Sequence, residues 1–327
     1  MLRWGMPPVG GRPSAIVRAS TSTAPRARGW AALAALAGLF VSNACTGDPP
    51  TVTPVPPTVD PLAVATAPPD ARPLTIEVLN SELALGLERI AFRLKDEAGG
   101  QLRDGTVSVT YFRVLSQTGQ SARQSSGGAV YFGGGLPDGG AWVVYTEFDS
   151  SGPWDMQAQV SRSDGTVLEG RTQVDVIGRT RTPAVGSPPP TGDTPVVAEG
   201  GDLASVSSDS APDAALYRTT VAEASTSGKP TVVLFASPAA CGSALCQAAL
   251  DELKAVKQQY GDRINVIHVE THDPANVNSL TPAAVAWGVQ SGPWLFVLDK
   301  RGLISARAEG GVDRTELGLL VDRVLGG

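Results

Sequence analysis

Two thiols carry most of the chemistry open to this sequence. Cys241 and Cys246 lie in the run Lys229-Pro-Thr-Val-Val-Leu-Phe-Ala-Ser-Pro-Ala-Ala-Cys-Gly-Ser-Ala-Leu-Cys-Gln. The apolar stretch Thr231 to Phe235 predicts a strand buried on both faces, followed by a loop of small residues. That loop holds one cysteine and leads into a helix whose first turn holds the other. Unpaired N–H groups and the dipole at a helix N-terminus stabilise a thiolate and lower its pKa. The chemistry such a pair offers is thiol–disulfide exchange, a structural disulfide, or soft-metal binding.

The spacing limits where the two cysteines can sit. Four residues, Gly242 to Leu245, separate them. On one continuous helix, positions five apart differ by about 140° and about 7.5 Å of rise, whereas bonded cysteines have Cα atoms roughly 4.4–6.8 Å apart. A bonded pair therefore requires Cys241 in the loop, with Gly242-Ser243 turning the chain into a helix near Ala244. Cys241 is then the more exposed sulfur.

The two histidines, His268 and His272, are the other soft-metal candidates. His268 falls on a largely apolar segment, where a histidine is expected to be packed and hydrogen-bonded. It stands as a weak candidate ligand, and no metal or other cofactor is expected. Paired carboxylates, phosphate-cradling glycine loops and Ser/His/Asp constellations do not stand out. Gly133-Gly-Gly135 lies in a β-turn context.

The elements around the cysteines, residues 213–327, follow a β-α-β-α-β-β-α order. A short helix from Val221 to Ser227, stopped by Gly228, precedes the first strand. A helix follows from Leu245 to Tyr260, with Leu245, Ala249, Leu253, Val256 and Tyr260 on one side. Ile264–Val269 is the second strand, and Thr281-Pro282 opens a helix with an N-cap and Pro at its first position. Trp294–Asp299 and Leu303–Glu309 form a hairpin. Asp313 and Glu316 begin the last helix in capping-box fashion.

This order, with cysteines after the first strand, resembles the thioredoxin superfamily. A second landmark agrees: Trp287-Gly-Val-Gln-Ser-Gly-Pro293-Trp-Leu-Phe stands where that family has its cis-proline. The resemblance implies a cis bond between Gly292 and Pro293, and contact of these residues with the backbone of a bound substrate. It further implies that Cys241 attacks and Cys246 resolves. The chain departs from the family in having four residues between its cysteines rather than two. It has Ala240 in place of an aromatic before the first cysteine, and Leu234 where the family's reductases carry a buried acid. Sco-type copper chaperones share the fold and use two cysteines and a distant histidine, but with three residues between the cysteines.

Upstream, residues 74–178 alternate with period two. Ile90, Phe92 and Leu94 face one way, Arg93 and Lys95 the other, and Asp-Gly turns separate the segments. About seven short strands suggest an immunoglobulin-like β-sandwich, with Trp142 and Trp154 as core residues. Residues 45–73 read as a Pro/Thr-rich tether and residues 179–212 as a Pro/Ser-rich linker. The expected architecture is thus two domains, an all-β sandwich followed by an α/β thioredoxin-like domain.

Residues 1–44 read as a signal peptide. Five arginines, ending at Arg28, precede an apolar run from Trp30 to Val41, shorter than the about 20 residues of a membrane-spanning helix. Ser42-Asn-Ala-Cys45 resembles the lipobox of bacterial lipoproteins, in which the cysteine becomes the lipidated first residue; Ser42 stands where that family usually has Leu. Acylation of Cys45, plain secretion and an uncleaved anchor all leave the body outside the cytoplasm. With Cys45 acylated, an even pair of cysteines remains in an oxidising compartment. The formal charge of −6 over 327 residues becomes more acidic still without the leader, which argues against nucleic acid as a partner. The expectation is an exported, membrane-anchored protein that exchanges thiols and disulfides on extracytoplasmic proteins. The alternatives are a non-catalytic binding or scaffold module with a structural disulfide, and a copper chaperone.

Overall fold

Alternating apolar residues drive the first half of the chain into sheet. The computed structural model describes residues 70–326 except 115–120, 138, 191 and 193. Cys45, the leader and most of the tether lie outside the described residues. The strands of the first region are β1 (Arg72–Pro73), β2 (Thr75–Val78), β3 (Leu83–Ala84), β4 (Gly86–Lys95), β5 (Gln101–Leu102), β6 (Thr106–Val114), β7 (Ser121–Phe132), β8 (Ala141–Phe148), β9 (Gly152–Ser161) and β10 (Val167–Ile177). They form one hydrogen-bonded path, β1-β10-β9-β6-β7-β8-β4-β2, with β3 beside β10 and β5 beside β4. The path is continuous because β7 is long enough to serve two neighbours. Its residues up to Ala129 pair with β6, and Val130 to Phe132 pair with β8.

The sheet folds around a core that includes Ile90, Phe92, Leu94, Trp142 and Trp154. Each indole nitrogen finds a carbonyl, Trp142 on Leu102 at 2.8 Å and Trp154 on Ser150 at 3.0 Å, as buried polar groups require. Arg93 and Lys95 are only half-buried on the opposite face.

The second half continues with α1 (Val221–Thr226), β11 (Thr231–Phe235), α2 (Leu245–Tyr260), β12 (Asn265–Val269), β13 (His272–Asp273), β14 (Asn276–Leu280), α3 (Pro282–Ala286), β15 (Trp294–Leu298), β16 (Ile304–Glu309) and α4 (Arg314–Gly326). The sheet order is β12-β11-β15-β16, with β11 and β12 parallel and the remaining pairs antiparallel. All five residues of β11 are buried. Val232 and Leu234 pack with α2 and α4 on one face, and Val233 and Phe235 pack with Trp287 and Phe296 on the other. Helix α1 has the capping box of Thr220 and Glu223. Asp313 Oδ1 accepts the N–H of Glu316 at 2.9 Å to open α4. The small hairpin β13–β14, absent from the sequence expectation, projects between β12 and α3.

The described residues between 179 and 212 lie against both halves of the chain. These described residues form a strap with few regular elements, held by polar contacts. Thr182 Oγ1 donates to Glu82 Oε1 at 2.8 Å and accepts from Arg307 Nη1 at 2.6 Å. Thr194 Oγ1 accepts the N–H of Val221 at 2.9 Å, and Gly186 and Ser187 exchange backbone hydrogen bonds with Ile304 at 2.7 and 2.9 Å. The two halves also meet through buried ion pairs. Arg89 on β4 makes a two-point contact with Glu316 on α4 at 2.6 and 2.7 Å. Arg307 on β16 makes another with Glu88 on β4 at 2.7 and 2.8 Å.

Candidate active site around the cysteine pair

The C-terminal ends of β11 and β12 and the N-terminal end of β15 lie together, and the cysteine loop leaves from this edge. Cys241 and Cys246 form a disulfide with Cα atoms 6.1 Å apart. The chain turns at residues 238–240, and the N–H of Cys241 donates to the carbonyl of Ser237 at 2.9 Å. Helix α2 then begins at Leu245, so Cys246 sits in its first turn and Cys241 lies outside it. Cys246 is 1% exposed, whereas Cys241 is half-buried and Gly242, Ser243 and Ala244 are exposed. Of the two cysteines, Cys241 is thus the less buried.

The Gly292–Pro293 bond is cis. Gly292 rests against the root of the cysteine loop, and a β-carbon there would stand 3.1 Å from the Phe235 carbonyl oxygen and 3.2 Å from Thr271 Oγ1. The Pro293 carbonyl accepts the N–H of Gly310 at 2.9 Å. The cysteine loop, Gly292-Pro293 and the Gly310-Gly311 turn thus occupy one end of the sheet.

A polar layer that sequence periodicity does not reveal holds this loop from behind. Ser208, in the strap, donates its N–H and hydroxyl to Glu270 Oε1 at 2.6 and 2.9 Å, and its oxygen accepts the N–H of Ala239 at 3.1 Å. Ser237 Oγ accepts the N–H of His272 at 2.9 Å. Burial raises the Glu270 carboxyl above the usual range, against the hydrogen bonds from Ser208 and Ser237. Asp209 lies 2.5 Å from Lys254 Nζ and accepts from the Gln247 amide at 3.1 Å. Burial opposes ionisation of Asp209, but the Lys254, Ala211 and Gln247 donors outweigh it and hold its pKa below the ordinary value. Gln247 is the neighbour of Cys246, so this pair fixes the first turn of α2. In sequence Ser208 and Asp209 carry only the composition of a linker.

His268 is 1% exposed on β12. The Ala236 carbonyl, 3.0 Å from Nε2, can only accept, so Nε2 carries the proton, and Nδ1 is hydrogen-bonded at 2.6 Å to the Tyr217 hydroxyl, which also lies 2.7 Å from Ser207 Oγ. Both ring nitrogens are engaged within the protein. Burial lowers its pKa to about 4, against the pull of the Ala236 carbonyl and Asp209. His272 is half-buried at the start of β13. Among the described residues no three His, Cys, Asp or Glu side chains group as a metal site, and no described helix is long and apolar enough to cross a membrane.

No known family profile matches the chain, and no curated protein matches it. Among solved structures it is similar to a thiol:disulfide interchange protein of the thioredoxin family from Chlorobium tepidum TLS. The identity is 18% and the TM-score 0.31, over 44% of this chain and 99% of that one. It is likewise similar to a DsbF homologue from Corynebacterium diphtheriae, at 18% identity and TM-score 0.27, over 32% of this chain and 76% of the other. CopC from Methylosinus trichosporium OB3b aligns at 18% identity and TM-score 0.20, over 32% of this chain and 97% of its own.

Proposed function

We propose that this protein exchanges thiols and disulfides with other polypeptides through Cys241 and Cys246. The supporting observation is the asymmetry of the bonded pair: a half-buried cysteine in the loop and a fully buried one in the first turn of α2. In the reducing direction the Cys241 thiolate attacks a target disulfide and expels one target thiolate. The Cys246 thiolate then attacks the Cys241 sulfur and releases the second. Two electrons pass to the target, and the protein is left with the disulfide seen here. The oxidising direction is the reverse, with a target dithiol as donor. Gly292 and Pro293 border the loop and would receive the target backbone beside its sulfur.

Cys246→Ser should trap covalent partners through Cys241, and Cys241→Ser should trap none. The reduction potential of the pair should lie above about −300 mV, the region of exchanging rather than structural disulfides. A pair that resists strong reductant until the protein unfolds, with no partner trapped by either variant, would identify a structural staple in a non-catalytic module.

The same reading has the body outside the cytoplasm, held at a membrane by a lipid on Cys45, with the β region as an immunoglobulin-like sandwich. Its support is the sequence Ser42-Asn-Ala-Cys45 after a short apolar run. Cys45→Ser should move the protein from the membrane fraction to the soluble fraction or block its maturation. Unchanged fractionation and migration would remove the lipid from the account.

A further inference from the structure

Beside the cysteine pair, the β region and the second half of the chain enclose a cavity of about 190 Å³. One wall is Leu79, Leu136 and Ala141 from the β region, and the facing wall is Leu245, Glu309 and Gly311. Leu245 immediately precedes Cys246. The Gly310-Gly311 turn is bonded to Pro293 through the Gly310 N–H. Through these neighbours of Cys246 and Pro293 the cavity lies next to the edge on which a target would lie. Small-molecule pockets run about 300–1,000 Å³; this one suits a single side chain.

The facing sides already touch. A β-carbon on Gly311 would stand 2.8 Å from a Leu245 methyl and 3.1 Å from both Leu136 methyls. The loop bearing Leu136 is pinned to the second half, since Gly134 N–H donates to Asp313 Oδ2 at 3.0 Å. The charged groups in the lining are committed. Glu309 Oε2 accepts the Ser81 N–H at 2.6 Å, and Arg93 lies 3.9 Å from Glu77. Burial, opposed by the Ser81 contacts, raises the Glu309 carboxyl above its ordinary pKa. A charged guest would find no free partner there.

We infer that this cavity receives one aliphatic side chain next to the cysteine of an extended polypeptide target, so that the β region supplies half of the substrate site. This rests on the exchange function proposed above. Water is displaced from the apolar walls as the side chain enters, and the target sulfur is brought to Cys241.

The test uses the full chain, reduced, with symmetrical disulfide dimers of one short peptide carrying either leucine or serine beside its cysteine. Each reaction yields the protein disulfide and two peptide thiols. The leucine dimer should react about tenfold or more faster, the factor that burial of one leucine side chain supplies. Leu79→Asp and Ala141→Leu, which charge and fill the cavity, should each bring that ratio near one; a ratio within one variant is insensitive to its active fraction. Independently, oxidised protein titrated with the leucine peptide bearing serine for cysteine should show methyl NMR shifts at Leu136 and Leu245. A wild-type ratio near one, a ratio unchanged in both variants, or silent methyls at millimolar peptide would overturn the inference. If wild type reduces neither dimer, the exchange function fails, and the methyl shifts alone decide whether the cavity binds the side chain.

Discussion

His268 shows how a residue suited to chemistry can be committed to structure. Its two ring nitrogens bridge Tyr217 and the Ala236 carbonyl, and burial lowers its pKa to about 4. The unfolded chain, with an imidazole near pH 6.5, binds more protons than the native one between those values, so stability rises with pH there. The contribution is complete above about pH 6.5 and is lost as pH falls toward 4. It amounts to roughly 3 kcal/mol at about 1.4 kcal/mol per pH unit. Urea unfolding of wild type and His268→Gln from pH 4 to 7 should show a gap that widens with pH. A constant gap would mean that the imidazole titrates alike in both states. Glu270 and Glu309, raised by burial, tilt stability the opposite way in acid, and the comparison with the variant cancels them.

At the scale of elements, the contact of β4 with α4 rests on Arg89 and Glu316, whose side chains are each 2% exposed. Removing one partner of a buried pair leaves an uncompensated charge and costs about 3–5 kcal/mol, whereas replacing both by apolar groups often costs little. Glu316→Ala should therefore lower stability by about that amount, and Arg89→Met with Glu316→Leu should recover most of it; equal losses in chemical denaturation would show that packing, not charge, sets the cost. Much around the cysteines was legible because its signals are local. The apolar run of β11, the 3.6-residue period of α2 and Thr281-Pro282 at the start of α3 act within a few residues. The strap was not legible, because Thr182 is ordered by Glu82, 100 residues earlier, and by Arg307, 125 residues later. Its Ser, Pro and Asp content is that of a tether, and only tertiary partners distinguish the two. Arg89 was hidden in the same way: alternation puts it on the face with Arg93, and its burial comes from α4. Hairpin β13–β14 leaves no mark in the sequence, because Asn276–Leu280 is exposed along most of its length and so lacks a buried face.

Across the whole molecule, polar contacts join the β region to the second half of the chain. Glu82, Glu88 and Arg89 from the first half meet Thr182, Arg307 and Glu316 from the second. These pairings give the β region a fixed relation to the Leu245 side of the cysteine loop, which a flexible linker would not supply. The strap has a second consequence, for what the protein does not do. β16 closes one side of a four-stranded sheet, and an unpaired outer strand is a template on which other chains can add and aggregate. At Ile304 both backbone groups facing outward are taken, its carbonyl by Gly186 and its N–H by Ser187. A turn at Ala214–Tyr217 packs beside β12 at the opposite margin. The segment that reads as a spacer thus covers the beginning of β16, where another chain would otherwise add to the sheet.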